Sequence, residues 1–128
     1  METRILVVDD EEAVASMMKI VLENDGYTVV TAASAAEAVG LLSTDSFQAV
    51  ITDMKMESDT AGYDVVRAAR ALPNPPVTLI LTGYPLLAQD WRAAGAAAVA
   101  SKPSSMAQLL ETVAELLGKR RQRATRLA

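Results

Sequence analysis

Short apolar runs alternate with longer amphipathic stretches along the whole chain. The run Ile5–Val8 is apolar at every position and rich in β-branched residues, which is typical of a strand buried on both faces. Residues 12–24 space their apolar side chains as one helix face, and Asp25–Gly26 ends that helix. Ser34 with Glu37 three residues later forms a capping box that opens a second helix. The same reasoning predicts strands over residues 5–8, 27–31, 49–52, 77–81 and 97–100, and helices over residues 12–24, 35–42, 63–72, 86–94 and 104–117.

These elements form five strand–helix units in strict alternation. Such a pattern predicts an α/β fold in which helices cover both faces of a parallel sheet and the crossovers are right-handed. No repeat, low-complexity segment or linker interrupts the pattern, so we predict one domain over residues 1–118. Residues 119–128 form a basic C-terminal tail, which is expected to be a helix extension or the start of a linker.

The composition narrows the chemistry that a site in this chain could use. The 128 residues include no cysteine and no histidine, which excludes a disulfide framework, a thiolate metal site and imidazole catalysis. Carboxylates, hydroxyls, lysine and backbone groups remain. Oxygen ligands of this kind favour a hard cation such as Mg²⁺.

The net charge of −4 is unevenly distributed along the chain. The last ten residues hold five basic side chains and no acid, so residues 1–118 carry a net charge of −9. This acidic body argues against direct nucleic-acid binding by residues 1–118. The N-terminus carries neither a secretory signal nor a membrane span, so we expect a cytoplasmic protein without membrane contact.

Polar side chains that suit one common site follow four of the predicted strands. Asp9 and Asp10 follow the first strand, Asp53 the third, Thr82 the fourth and Lys102 the fifth. Ligands of open α/β sheets bind outside these carboxyl ends, where the strand order reverses. With the strand order 2-1-3-4-5, the acids of the first and third strands become neighbours. Each residue alone could be a turn former, a helix cap or a solvated side chain, but their joint occurrence at four strand ends indicates a site.

The chemistry of such a site follows from its charges. Three carboxylates at close quarters repel one another and raise one another's pKa values unless a cation lies among them. Mg²⁺ suits this arrangement because it keeps water ligands and takes phosphate oxygens. With the cation bound, one of the carboxylates can attack phosphorus and become an acyl phosphate, while Lys102 and Thr82 contact two further phosphoryl oxygens. The residue set therefore fits phosphorylation of an aspartate.

The chain resembles the receiver domains of bacterial two-component response regulators over residues 4–118. The resemblance implies a flavodoxin-like (βα)5 three-layer sandwich with a parallel five-stranded sheet of order 2-1-3-4-5. The motifs that carry it are Ile5–Asp10, Val50–Met56, Leu79–Gly83, Gly95–Ala96 and Lys102–Pro103.

The resemblance also implies roles for the site residues. Asp53 would be the phosphoacceptor, supplied by a sensor histidine kinase or a histidine phosphotransfer protein. Asp10 would bind Mg²⁺ directly and Asp9 mainly through water, while Asp53 and the backbone carbonyl of Lys55 complete the protein ligands. The domain would be a switch rather than an enzyme, with at most slow self-phosphorylation and self-dephosphorylation. The Lys-Pro bond of this family is commonly cis, which suggests the same for Lys102–Pro103.

Three departures from the family pattern concern the loops around the site. Glu57 stands where the family usually has proline. Gly62 falls one residue late, which predicts a longer loop after Asp53. The short interval from Thr82 to Gly95 predicts a trimmed or partly unwound fourth helix.

A fourth departure concerns the output of the switch. Val99 occupies the place of the family's switch aromatic and cannot rotate inward as that aromatic does. The output must then use other parts, with Tyr84 beside Thr82 as the candidate, or be weakly coupled. Lys55 and Tyr84 also occupy the two positions that tend to tune the phosphoryl lifetime in this family. Pairing of two domains through the fourth helix, fifth strand and fifth helix is a further hypothesis, on the face that holds most departures.

Two other functions compete with a phosphorylated switch. A phosphohydrolase of the haloacid dehalogenase type also uses a strand-end aspartate, a threonine, a lysine and Mg²⁺. Its general acid would stand at the position of Lys55, however, and no cap domain is present. A receiver-like interaction module that signals without phosphorylation is favoured by Val99 and the altered loops, although all five site residues are intact. The output partner is not identified by the sequence.

Overall fold

The structure, a computed structural model, describes residues 2–102 and 105–127, with side chains as far as residue 118. Strands and helices alternate throughout, as the hydrophobic pattern predicts. The strands are β1 (Arg4–Val8), β2 (Thr28–Ala32), β3 (Ala49–Asp53), β4 (Val77–Thr82) and β5 (Ala98–Ser101), and the helices are α1 (Glu12–Asn24), α2 (Ala35–Thr44), α3 (Ala61–Arg70), α4 (Ala88–Ala94) and α5 (Met106–Leu127).

The five strands form one parallel sheet of order β2-β1-β3-β4-β5. This confirms the predicted flavodoxin-like (βα)5 fold and its strand order. The register between β1 and β3 pairs Val8 with Thr52. Asp9 follows Val8 and Asp53 follows Thr52, so the two aspartates lie side by side at the same edge of the sheet.

The alternation of side chains along β1 divides the core into two layers. Ile5 and Val7 are fully buried in a cluster formed with α1 and α5. Leu6 and Val8 are fully buried in the opposite cluster, against α2 and α3. A smaller cluster around Ile80 packs against α3 and α4. Because both faces of β1 are covered, its sequence is apolar at each of these positions rather than alternating.

Glycines in the left-handed region follow the ends of α1 and α4. Gly26, with φ 98°, follows α1, and Gly95, with φ 101°, follows α4. Helix α4 has seven residues, which confirms the prediction of a trimmed fourth helix. It begins two residues later than predicted because Leu87 still has an extended backbone, with φ −69° and ψ 128°.

Helix α5 continues to Leu127, so the predicted end at residue 117 is wrong. This agrees with the helix extension, which is one of the two expectations for the basic tail. The added residues include Lys, Arg, Gln and Ala, which have high helix propensity, and no proline stops them. The predicted start at Ser104 lies outside the described residues, and the division of the chain at residue 118 stays a prediction. Within the described part of the chain, no helix has the length and apolar character needed to cross a membrane.

Candidate functional site

The carboxyl ends of four strands bring the predicted site residues to one edge of the sheet. Asp9 follows β1 and Asp53 ends β3, and these two strands are neighbours. Thr82 ends β4, and its carbonyl oxygen accepts the backbone N–H of Lys102 at 2.7 Å. Asp10, next to Asp9, is exposed at the rim. The sheet order therefore places residues from four separate segments of the chain around one point.

The Lys102 ammonium lies between two carboxylates. Its Nζ is 2.8 Å from Asp9 Oδ2 and 3.3 Å from Asp53 Oδ2. The Asp9 side chain is 0% exposed, whereas that of Asp53 is 12% exposed. A buried carboxylate needs a paired charge, and Lys102 provides it for Asp9 while leaving Asp53 accessible. The predicted cis bond Lys102–Pro103 lies outside the described residues.

Backbone groups hold the second oxygen of each carboxylate. The N–H of Glu11 donates to Asp9 Oδ1 at 2.9 Å, and the N–H of Met54 donates to Asp53 Oδ1 at 2.9 Å. Each acid is thus fixed by the backbone through Oδ1 and by Lys102 through Oδ2. This double attachment limits rotation of the two carboxylates.

The two acids and one lysine leave a shortage of positive charge. Burial is the largest influence on the pKa of Asp53 and raises it above its ordinary value. Attraction to Lys102 lowers that pKa, repulsion from Asp9 raises it, and the net effect is a raised pKa. Burial would lower the pKa of Lys102, but its hydrogen bond to Asp9 and its attraction to both acids outweigh burial and raise it. A further cation near Asp53 would therefore stabilise its ionised form.

Three carboxylates could hold that cation. Asp9, Asp10 and Asp53 each offer an oxygen within 4.8 Å of the others. Such hard oxygen donors fit Mg²⁺, and the exposed Asp10 leaves space for its water ligands. The Lys55 ammonium lies elsewhere, 3.5 Å from Asp59 Oδ1 in an exposed ion pair. A metal-binding role for Lys55 therefore depends on its backbone carbonyl.

The Thr82 hydroxyl is engaged with a neighbouring loop. It donates to the carbonyl oxygen of Tyr84 at 2.9 Å, accepts the N–H of Tyr84 at 3.3 Å, and belongs to a residue that is 4% exposed. The Tyr84 hydroxyl in turn donates to the carbonyl oxygen of Asp59 at 3.5 Å. Tyr84 thus links the loop after β4 to the loop after β3. Any other acceptor would have to compete with the Tyr84 carbonyl for the Thr82 hydroxyl.

Glu57 has a partner that the sequence did not reveal. Its carboxylate accepts the N–H groups of Ala35 and Ala36 at 2.9 and 3.2 Å. These bonds, with that from Ala35 first among them, hold the pKa of Glu57 below its ordinary value. The sequence showed Glu57 only as a departure from the family pattern. Its partners lie more than 20 residues away, and no local motif signals a contact of that range.

The position of Gly62 is explained by a close approach of two backbones. A Cβ atom at Gly62 would lie 2.7 Å from the carbonyl oxygen of Asp53 and 2.8 Å from the Cα of Met54. The N–H of Gly62 donates to the carbonyl oxygen of Met54 at 2.8 Å. Glycine at this position lets the first turn of α3 pack directly against the end of β3.

Comparison with known proteins identifies relatives over nearly the whole chain. The family model described as "Response regulator receiver domain" matches residues 5–114. The solved response regulator receiver domain protein (CheY-like) from Methanospirillum hungatei JF-1 is 31% identical, with 96% of this chain and 99% of that chain covered and a TM-score of 0.88. A receiver domain protein from Clostridium thermocellum is also 31% identical, with 94% and 98% covered and a TM-score of 0.83.

One longer relative matches over a shorter segment. The alginate biosynthesis transcriptional regulatory protein AlgB of Pseudomonas putida is 50% identical over 44 residues, which is 34% of this chain and 10% of that protein. The match thus spans only about a tenth of the length of that regulator.

Proposed function

The chain belongs to the response regulator receiver domain family, and on that premise we propose that Asp53 accepts a phosphoryl group in a Mg²⁺-dependent reaction. The donor would be a sensor histidine kinase or a histidine phosphotransfer protein. Domains of this family are signalling domains that act between a histidine kinase and an output domain, and they are generally not enzymes.

The observation that carries this proposal is the exposure of Asp53 beside a fixed cation. Its Oδ2 lies 3.3 Å from Lys102 Nζ, and its side chain keeps 12% exposure while that of Asp9 has none. A donor can therefore reach Asp53, whereas Asp9 is enclosed. An Asp53 oxygen would form a bond to phosphorus as the phosphorus–nitrogen bond of the donor's phosphohistidine breaks, and the nitrogen would leave with the bonding electrons.

The proposed Mg²⁺ ligands are the acids and one carbonyl at this edge. Asp10 would bind the ion directly, Asp9 mainly through water, and Asp53 and the Lys55 carbonyl would complete the set. The spacing of the carboxylate oxygens, within 4.8 Å of one another, and the raised pKa of Asp53 support this assignment. Bound Mg²⁺ would neutralise negative charge on the transferring phosphoryl oxygens.

Lys102 and Thr82 would hold the phosphoryl group once it is on Asp53. The Lys102 ammonium would pair with one phosphoryl oxygen, as it pairs with Asp53 Oδ2 in the unmodified protein. The Thr82 hydroxyl would donate to a second oxygen, and this requires it to leave the Tyr84 carbonyl. Charge-assisted bonds of this kind are stronger than the neutral bond that is lost.

Release of Tyr84 is the proposed start of the output signal. Val99 is partly buried against the cluster around Ile80 and offers no ring that could change orientation. Tyr84 is 41% exposed and hydrogen-bonds Thr82 on one side and Asp59 on the other. Movement of the Thr82 hydroxyl would therefore change a residue that a partner can contact.

The phosphodonor would dock on the exposed apolar face of α1. Met17 is 55% exposed and Ile20 is 63% exposed, on a helix that begins three residues after Asp9. A protein that delivers a phosphoryl group to Asp53 must cover the adjoining surface, and these side chains provide apolar contact area.

We propose a cytoplasmic location for this exchange. The signal would pass to an output domain or protein, and pairing of two receiver domains is a further hypothesis. AlgB, a transcriptional regulator, makes transcriptional control one candidate output.

Intact-mass analysis tests the phosphoacceptor directly. The protein is incubated with acetyl phosphate or phosphoramidate, with Mg²⁺ or with EDTA, and then weighed. We expect one added phosphoryl group with Mg²⁺ and none with EDTA. Asp53→Asn should abolish the addition, whereas Asp59→Asn, which alters an exposed acid of the same loop, should retain it.

Two other outcomes would favour other functions. If no adduct forms under any condition, the phosphoacceptor proposal is wrong and the interaction module without phosphorylation takes its place. If the protein repeatedly hydrolyses a phosphomonoester, it is a phosphohydrolase.

A further inference from the structure

Glu57 connects the loop after β3 to a helix from another part of the chain. Glu57 Oε1 accepts the N–H of Ala35 at 2.9 Å, and Oε2 accepts the N–H of Ala36 at 3.2 Å. The first N–H groups of a helix have no partner within the helix, and a carboxylate is also attracted to the positive end of the helix dipole. Two charge-assisted hydrogen bonds therefore attach the loop to the start of α2.

Helix α2 has its own caps and does not depend on Glu57 to begin. The Ser34 hydroxyl accepts the N–H of Glu37 at 3.1 Å, as the predicted capping box requires. Glu37 Oε2 accepts the N–H of Ala33 at 3.2 Å, one residue before the expected partner. These local contacts already define the start of the helix. The distinct contribution of Glu57 is the connection between α2 and the loop.

The loop that Glu57 attaches contains groups of the candidate site. It leaves β3 at Asp53, whose Oδ1 accepts the N–H of Met54 at 2.9 Å, and it carries the Lys55 carbonyl two residues before Glu57. The carbonyl of Met54 is also fixed, by the N–H of Gly62 at 2.8 Å. Lys55 thus lies between one anchored point at Met54 and a second anchored point at Glu57.

We propose that Glu57 is a positioning residue for the Mg²⁺ and phosphoryl site. By binding the start of α2, it restricts the movement of the loop that carries the Lys55 carbonyl. This inference rests on the proposed function, because it assigns Lys55 as a metal ligand. Glu57 is not itself among the proposed ligands of the ion or of the phosphoryl group. Its effect is to reduce the conformational freedom that the loop loses when the ion binds.

Calorimetric titration with Mg²⁺ separates positioning from helix capping. The proteins compared are the wild type, Glu57→Ala, Glu57→Gln and the control Glu37→Gln, which weakens a cap on the same helix without touching the loop. Removal of an outer partner of a metal ligand typically lowers affinity about 10- to 100-fold. Because Glu57 acts through the backbone, we expect the lower end, a Kd for Mg²⁺ about tenfold higher in Glu57→Ala. Glu57→Gln keeps one acceptor oxygen and should lie between that variant and the wild type.

Amide hydrogen exchange provides a second test, because a loss of helix capping alone would not change the exchange rates in the loop. Glu57→Ala should speed amide exchange in the loop residues 54–60 as well as at Ala35 and Ala36. Glu37→Gln should speed exchange only around the start of α2 and leave the Kd for Mg²⁺ within about twofold of the wild type. The proposal is overturned if Glu57→Ala and Glu37→Gln have the same Mg²⁺ affinity, or if exchange in the loop is unchanged.

The titration requires no phosphodonor, so this inference and the phosphoacceptor proposal can fail separately. A wild type that binds Mg²⁺ but takes no phosphoryl group would refute the role of Asp53 and leave the comparison of Glu57 variants valid. A wild type that binds no Mg²⁺ would overturn the role proposed for Glu57.

Discussion

Replacement of Lys102 by methionine removes the positive charge between Asp9 and Asp53 and keeps a side chain of similar length. The ammonium lies 2.8 Å from Asp9 Oδ2 and 3.3 Å from Asp53 Oδ2. At an effective dielectric constant of about 20, these distances correspond to gross attractions of about 6 and about 5 kcal/mol. In Lys102→Met the two carboxylates would face each other without compensation, and since their oxygens lie within 4.8 Å of one another, the gross repulsion would be at least about 3.5 kcal/mol at the same dielectric constant.

The net loss of stability is smaller than these gross energies. Burial of the three groups already costs desolvation energy, and removal of one partner from a buried ion pair typically costs about 3–5 kcal/mol. Lys102 is 23% exposed, so water can partly replace its charge. We therefore expect Lys102→Met to lower the free energy of unfolding by about 3 kcal/mol at pH 7 without metal. The folded-state pKa of Lys102 is raised, so its contribution is fully present below its ordinary pKa and is lost only as the pH rises through the raised value.

Urea unfolding measured in EDTA and again in excess Mg²⁺ tests this reasoning. Bound Mg²⁺ would restore positive charge among the carboxylates, so the deficit of Lys102→Met should shrink when the ion is added. The matched control is Lys55→Met, which removes a lysine from an exposed ion pair with Asp59 and should change stability by less than about 0.5 kcal/mol. If Lys102→Met is as stable as Lys55→Met in EDTA, the ammonium does not hold the site together and the electrostatic argument is refuted.

Four further predictions concern Asp53, Asp10 and Thr82. The folded-state pKa of Asp53 is raised, so the stability that this carboxyl contributes is present below its ordinary pKa and is lost as the pH rises through the raised value. Asp53→Asn should therefore be more stable than the wild type at pH 7 in EDTA. Urea unfolding at pH 3 should show a smaller difference between the two proteins. For the same reason, calorimetric Mg²⁺ affinity should fall as the pH is lowered through the raised pKa of Asp53, and a pH-independent affinity would contradict a role for that carboxylate. Asp10→Ala, at an exposed position, should lower Mg²⁺ affinity at least about tenfold while changing unfolding free energy by less than about 0.5 kcal/mol. Thr82→Val removes the hydrogen bond to the Tyr84 carbonyl and should lower the free energy of unfolding by about 1 kcal/mol. It should also shorten the lifetime of the Asp53 phosphate, which intact-mass analysis measures. An unchanged lifetime would exclude contact of the hydroxyl with the phosphoryl group.

The sequence by itself determined the fold and the place of the site. Apolar runs such as Ile5–Val8 repeat at intervals that allow only one helix between them, and this alternation fixes a parallel sheet with helices on both faces. In a parallel sheet all carboxyl ends meet at one edge. The positions of Asp9, Asp53, Thr82 and Lys102 directly after four such runs were therefore enough to predict that they share a site.

Only the tertiary structure decided how those side chains are connected. Lys102 pairs with Asp9 across 93 residues of sequence, and the Thr82 hydroxyl bonds Tyr84 rather than an acid. Glu57 attaches its loop to α2 across more than 20 residues. Hydrophobic periodicity specifies which face of an element is buried, but not which of several polar partners a side chain selects. That choice depends on loop paths and interatomic distances that exist only after the strands and helices have packed.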